Sequence, residues 1–382
     1  MQTAEPWRLL LLTPSIRLLG ARQSLLSLVQ NLPSHISPHV VCSGGGALAV
    51  ALREAQIPVS IIPHYPWRKF TGRLNAAIWQ LPALRAVVRQ FKPHVIHCNE
   101  YHSTPQGIRA AKATQPHALV TTHLRNAPSQ RHIRNYEVGK AEAIITVSES
   151  IRPLLRQQNL EHLVRVVHNG IDLEKFLTAT PTSELRNNLG WPQTDFVVGL
   201  LGLVSPRKAQ LVLAEAVALA RKQGAPVRLL LAGDAFKSSL EYGDALRVRL
   251  AQPDLAGAVH WVPFQKDILS LYGSMNVNAL ISTEEGFGRT IIEAGALGIP
   301  SVGSRIGGIP EIILPEKTGF LIDEGNSQAL AEILIHASRQ PEVIQQLGQA
   351  ARRRVISEFS LIATIQKLVA IWEELIAIQT TK

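Results

Sequence analysis

Apolar residues along the chain fall into short runs of strand length, each followed by a polar or glycine-bearing turn and then by a stretch with helical spacing. Such runs stand at 7–13, 39–42, 95–98, 118–122, 144–147 and 164–168, and the alternation restarts at 196–201, 227–232 and 277–281. Leu25, Leu26, Leu28 and Val29 give a helical stripe over 21–31, other helices begin near Ala47 and Gln210, and Ile291, Ile292 and Leu297 mark one after residue 288. Continuous apolar strands separated by helices predict parallel sheets covered on both faces. The tail 360–378 reads as an amphipathic helix.

The two series meet at Asn169, Gly170, Ile171 and Asp172, where Asn and Gly supply left-handed backbone. The expected organisation is a domain over 1–173, a second over 174–359 and a final helix over 360–382 that packs back across both. A length of 382 residues and 46% hydrophobic content suit two cores. Cys42 and Cys98 are too few for a disulfide framework or a metal cluster, which fits a reducing compartment. Leucines fill 9–12, but Pro14 and Arg17 follow at once, so the run is too short for a signal peptide or a membrane span. A complete, cytoplasmic chain is therefore expected.

Charge divides the chain unevenly. Residues 1–170 carry 19 Lys and Arg against 7 Glu and no Asp, a net +12, whereas the remainder carries 20 against 22, a net −2. A basic half suits an acidic partner surface, such as anionic lipid, a phosphorylated acceptor or nucleic acid. No helix-turn-helix, zinc or aromatic-platform motif accompanies the charge, which argues against nucleic acid. The basic, aromatic stretch Trp67, Arg68, Lys69 and Phe70 reads as a loop of the kind that sits at a lipid headgroup surface, so peripheral contact with the inner face of a membrane is expected there.

The densest chemistry lies in 282–310, STEEGFGRTIIEAGALGIPSVGSRIGGIP. Glu285 and Glu293 stand eight apart around Gly286, Phe287 and Gly288, after an apolar strand and before a helix. A glycine turn lets backbone N–H groups at a helix start approach a ligand, and the helix dipole favours an anion there. Two carboxylates beside that anion site can accept hydrogen bonds from sugar hydroxyls, a combination suited to a nucleotide sugar. By contrast, Gly44, Gly46 and Ala49 match G-x-G-x-x-A without the acidic residue that a dinucleotide site needs about 20 positions on, and the match is accidental.

The spacing E-x7-E around GFG, followed by GIPSVGSRIGGIPEII, resembles the signature of the retaining glycosyltransferases of family 4. Asn169 to Asp172 is similar to that family's N-G-[VI]-D linker, Gly233 and Asp234 to its G-D turn, and Thr318, Gly319 and Phe320 to its T-G-x-L. The likeness is strong over 165–340 and weak before it. It implies two Rossmann-like domains facing across a cleft (the GT-B type), with transfer of a sugar from a nucleoside-diphosphate donor to an acceptor hydroxyl with retention. Glu293 would then hold the donor ribose, and Glu285 would lie beneath the transferred sugar. Lys208, with Arg207 beside it, would meet the diphosphate. Gly286, Phe287, Gly288, Arg289 and Thr290 would form the donor loop and helix start, and Gly20 would belong to the first glycine loop. His123 occupies the place of the histidine that contacts the transferred sugar, and Arg125, Arg131 and Arg134 follow it towards an anionic acceptor.

Four positions depart from the family pattern. Leu19 replaces the first glycine of the N-terminal loop, Leu203 the diphosphate arginine, Ala209 the second glycine after Lys208, and Asn276 an aspartate. No D-x-D triplet occurs, so no metal and no cofactor are expected; the partners are the nucleotide sugar and a glycan, lipid-linked or phosphorylated acceptor, in a polysaccharide or lipopolysaccharide setting. His97, Glu100 and His102 are crowded enough for a metal site, yet the same strand tip carries histidines without metal in the family. A nucleotide-sugar epimerase of the same architecture and a non-catalytic binding homologue are the alternatives.

Overall fold

The structure is a computed structural model that describes residues 6–14, 21–179, 182, 184–265 and 267–381. It has two units, Met1–Gly170 together with Leu361–Lys382, and Ile171–Ser360. The break falls after Gly170, three residues before the expected position, and the last helix belongs to the first unit.

The first unit is built on seven parallel strands: β1 (Trp7–Thr13), β2 (Ile36–Cys42), β3 (Val59–Ile61), β4 (Val95–Cys98), β5 (Leu119–Leu124), β6 (Ala143–Thr146) and β7 (Val164–Val166), in the order β3-β2-β1-β4-β5-β6-β7. The order reverses between β1 and β4, which pair from Leu9 opposite Val95 to Leu12 opposite Cys98. The inner strands are buried on both faces, as their continuous apolar runs require. The closing helix Leu361–Thr380 turns Leu361, Ile365, Leu368, Val369 and Trp372 into this unit's core at helical spacing. Trp372 is fully buried, packs edge-on to Trp7 at 6.2 Å and donates its Nε1–H to Thr121 Oγ1 at 3.3 Å.

One expectation fails here. Trp67 is not a headgroup-facing loop residue: it is 7% exposed, with the Arg109 guanidinium 4.3 Å from its ring centre. Phe70 opens a helix that runs from Phe70–Asn75 through a π-helical segment, Ala76–Gln80, into Leu81–Phe91. The alternation of the sequence conceals it because Gly72 and Pro82 interrupt the stretch. Gly72 sits against Pro66, and Pro82 falls in the first turn after the π segment, where the ring is tolerated.

The second unit holds six parallel strands, β8 (Phe196–Leu201), β9 (Val227–Ala232), β10 (Val259–Val262), β11 (Val277–Leu280), β12 (Ser301–Ser304) and β13 (Gly319–Ile322), in the order β10-β9-β8-β11-β12-β13. Its reversal lies between β8 and β11, paired at Val277 opposite Val198 and Asn278 opposite Gly199. β12 reads SVGS and escapes a search for apolar runs, yet all four residues are buried because small side chains fit a strand in the middle of a covered sheet. Helix Gln210–Lys222 contributes Leu213, Ala214, Ala216, Val217 and Ala220 to the core over β8 and β9. The chain enters and leaves the unit at one place, where the Ile171 N–H donates to Phe359 O at 3.0 Å.

Candidate active site

In an open parallel sheet, ligands bind beyond the carboxyl ends of the strands where the strand order reverses. In the second unit that point is marked by the turns after β8 and β11, which are the turns carrying Lys208 and Glu285. The two turns are bonded to each other. Lys208 Nζ stands 2.6 Å from Glu285 Oε2, Arg207 Nη1 donates to Glu284 O at 2.9 Å, and the Thr283 N–H donates to Arg207 O at 2.9 Å. Arg207 Nη1 is also 3.9 Å from Glu285 Oε2, so one carboxylate faces two cations. Lys208 and Glu285 are mostly buried, with 12% and 15% of their side chains exposed, whereas Arg207 is more open at 37%.

Leu203 leaves no arginine in the turn after β8 at the position where family 4 carries one. Arg207 and Lys208 bring two positive charges to the same turn from its far end, in the 3₁₀ segment Pro206–Lys208. That segment ends on Ala209, whose left-handed φ of 50° is what glycine would adopt without strain.

Helix Arg289–Ala296 starts on Gly288, which has a φ of 124° and is hemmed by Ile291 and Leu280. Gly307, at φ 53°, lies so close to the Glu285 carbonyl that a Cβ there would collide with it, which pins the acid-bearing turn against the loop after β12. Phe287 is buried and meets the Phe359 ring edge-on at 5.7 Å, so its side chain anchors the turn.

Glu293 is the second acid, one turn into that helix, and two neighbours fix it. Arg289 donates Nε–H to its Oε1 at 2.7 Å, and the Tyr272 hydroxyl donates to its Oε2 at 3.1 Å while lying 3.3 Å from Thr290 O. Arg289 thus folds back onto Glu293 instead of extending away from the helix start. Tyr272 is fully buried, and that burial, reinforced by the charge of Glu293, drives its phenol pKa well above the usual value. It remains a hydrogen-bond donor at any working pH. Sequence reasoning misses Tyr272, because nothing in the spacing tells that it reaches Glu293. Thr290 Oγ1, Ser205 Oγ and Ser282 Oγ are buried and without a hydrogen-bond partner near these turns.

In the first unit, His123 lies near the carboxyl end of β5, only 3% exposed, with neither ring nitrogen hydrogen-bonded. Its ring packs edge-on to His97 at 5.6 Å, and His97 in turn meets Trp372 at 5.3 Å. Burial lowers the His123 pKa well below its usual value, helped by the charge of Arg125 and then by His97. Burial also pushes His97 down to about 3. Both imidazoles are therefore neutral near pH 7. Arg125 is held by Asn99, through its carbonyl at 3.1 Å and its Oδ1 at 2.6 Å, and by Asn169 Oδ1 at 3.3 Å. Arg131 and Arg134 are exposed on helix Gln130–Asn135. Gly20 lies outside the described residues. Among the described residues no three His, Cys, Asp or Glu side chains converge as a metal ion would need, His97, Glu100 and His102 included.

Two parallel α/β units with charged turns at the reversal of a sheet define a GT-B type protein, and comparison with known proteins agrees. The family model described as Glycosyltransferase Family 4 matches residues 19–175, and that described as Glycosyl transferases group 1 matches 181–354. The chain is 25% identical to the putative glycosyltransferase EpsD of Bacillus subtilis over 87% of its own length and 88% of that protein. It is 32% identical to the D-inositol 3-phosphate glycosyltransferase of Saccharomonospora viridis over 56% of its length, spanning about half (51%) of that relative. Among solved structures, Anabaena Alr3699/HepE in complex with UDP and glucose superposes with a TM-score of 0.83 at 25% identity, over 96% of this chain and 99% of that one. The chain belongs to the family 4 type of GT-B glycosyltransferases.

Proposed function

We propose that this glycosyltransferase takes a sugar from a nucleoside-diphosphate donor held in its second unit and places it on an acceptor hydroxyl with retention, using protein cations in place of a divalent metal. The observation that supports this most is the Lys208–Glu285 pair, 2.6 Å apart where the strand order of the second sheet reverses. As the bond from the sugar to the diphosphate breaks, negative charge gathers on the leaving phosphate and positive charge on the sugar carbon. Lys208, Arg207 and the N–H groups at the start of helix Arg289–Ala296 meet the first, and Glu285 stands beside the second. Glu293, oriented by Arg289 and Tyr272, is placed to accept hydrogen bonds from the ribose hydroxyls. His123, kept neutral by burial, is the sugar-facing group of the first unit, and Arg125 stands two residues on. The basic first unit suits a glycan, lipid-linked or phosphorylated acceptor.

The neighbour that holds UDP and glucose makes a uridine donor the first to test. Calorimetry with a panel of nucleotide sugars, followed by product analysis with and without acceptor, separates transfer from isomerisation of the donor. Glu293→Ala is expected to abolish measurable donor binding while the fold persists. Unchanged binding in that variant refutes the ribose role, and an isomerised donor sugar formed without acceptor refutes transfer.

A further inference from the structure

The helix covering residues 70–91 has an inner and an outer face, and over its first half the outer one carries large apolar side chains. Inward, Gly72, Ala76, Gln80, Leu81, Leu84 and Val88 are buried. Outward, Phe70 is 80% exposed, Leu74 49%, Ile78 50% and Trp79 66%. Phe70 and Trp79 are the two most exposed large apolar side chains among the described residues. Positions 70, 74 and 78 recur every four residues. The wider turn of the π segment Ala76–Gln80 keeps the third in line with the others while Gln80 and Leu81 still reach the core.

Along this stretch of the sequence charge has one sign. Between Glu54 and Glu100 the sequence holds no acidic residue and six basic ones, Arg68, Lys69, Arg73, Arg85, Arg89 and Lys92, all of them exposed. Two of the six are tied to the unit's own backbone: Arg73 Nε donates to Trp67 O at 2.8 Å and Arg85 Nε to Arg109 O at 3.5 Å. A surface helix ordinarily turns polar residues to water. Exposed aromatic and aliphatic side chains interspersed with exposed Lys and Arg, with no carboxylate in the stretch, instead match the boundary of an anionic bilayer, where apolar groups enter the acyl edge and cations meet phosphates. No described helix is long and apolar enough to cross a membrane, so the contact is one of lying on the surface.

We propose that the exposed Phe70, Leu74, Ile78 and Trp79 face, with the basic residues around it, docks this chain on an anionic phospholipid surface. The proposal stands apart from the donor chemistry, since binding to vesicles requires no turnover.

The test is flotation of the full chain with phosphatidylcholine vesicles and with vesicles containing about a third phosphatidylglycerol, a mixture that gives an anionic surface. The chain is expected to float with the second and not the first, and brominated acyl chains are expected to quench a signal that Trp79→Phe removes. Replacing Arg68, Lys69 and Arg89 with Gln lowers the partition coefficient roughly a hundredfold, about fivefold for each charge. The combination Phe70→Ser, Ile78→Ser and Trp79→Ser abolishes flotation at unchanged melting temperature. Absence of flotation with either vesicle, equal flotation with both, or full flotation of the apolar variant overturns the proposal. So does a wild-type dimer in solution that Trp79→Ser converts to a monomer, because the face would then belong to a second copy.

Discussion

Lys208→Met offers the sharpest examination of the donor site, because the residue is expected to do two separable things. In the resting protein it neutralises Glu285 at 2.6 Å, with both side chains largely out of water. Removing it leaves that carboxylate with Arg207 alone, 3.9 Å away and 37% open to solvent. Breaking a buried pair costs about 3–5 kcal/mol, and the residual exposure together with Arg207 brings the expected loss here to about 2–3 kcal/mol. A unit of this size should therefore melt roughly 4–12 °C lower. During transfer the same ammonium is proposed to face the leaving diphosphate, and losing one such preorganised donor costs a factor of about 100–1000 in kcat. The double variant Lys208→Met/Glu285→Gln separates the two roles: stability returns, because no unpaired charge remains, while activity stays low. Lys208→Arg keeps a cation and should retain stability, with partial activity. The measurements are melting curves and initial rates at saturating donor. A loss in kcat below about threefold in Lys208→Met, or a double variant that regains activity along with stability, would mean that another group meets the diphosphate.

Three further outcomes follow from the geometry. Tyr272→Phe deletes the hydroxyl that donates to Glu293 Oε2 at 3.1 Å; a hydrogen bond to a charged group contributes about 1.5–3 kcal/mol, so melting falls and donor KM rises about tenfold with a smaller change in kcat. An unchanged KM would remove Tyr272 as a positioning residue. Acid should unfold the first unit before it protonates the buried histidines: below the ordinary value of 6.5 the unfolded chain takes up a proton that folded His97, at about 3, does not, so stability falls with pH by about 1.4 kcal/mol per unit, or about 2 kcal/mol by pH 5. Melting temperature followed against pH checks this, and His97→Gln should flatten the slope; an identical slope refutes it. Gly307→Ala places a Cβ against the Glu285 carbonyl at a left-handed φ, with an expected cost of roughly 2 kcal/mol and weaker donor binding by calorimetry; a neutral effect on both would show that the turn moves freely.

The places where sequence reasoning succeeded and failed share a physical basis. Parallel strands covered on both faces leave long apolar runs, so β1, β8 and β9 could be read directly from Leu9–Leu12, 196–201 and 227–232. β12 could not, because Ser301, Gly303 and Ser304 are buried for their small size, a property that hydropathy does not register. Helix 70–91 was hidden because Gly72 and Pro82 interrupt it and because Phe70, Leu74, Ile78 and Trp79 are exposed over its first half, which blurs the usual alternation there; Trp67, which looks like the exposed residue of the stretch, is the one that is covered. The acids were legible as types and spacing. Their partners were not, since Lys208 lies 77 residues from Glu285 and Tyr272 lies 21 from Glu293, distances that only the reversal of a parallel sheet or the turn from strand to helix brings together.

Arg207 and Leu203 carry the same lesson into chemistry. A pattern that expects arginine early in the turn after β8 finds leucine there and counts a loss. The electrostatic requirement, however, concerns where positive charge stands and not which position supplies it. Arg207 enters from the end of that turn, is tied to the acid-bearing turn through Glu284 O, and lies 3.9 Å from Glu285. Its backbone carbonyl also receives the Thr283 N–H at 2.9 Å, so the two turns hold one another in register whatever the side chain does. Arg207→Ala should therefore leave stability within about 0.5 kcal/mol, because Lys208 still pairs Glu285 at 2.6 Å, yet weaken binding of the nucleoside diphosphate. If the diphosphate binds the alanine variant as tightly as the wild type, the charge missing at Leu203 is not supplied by its neighbour in the turn.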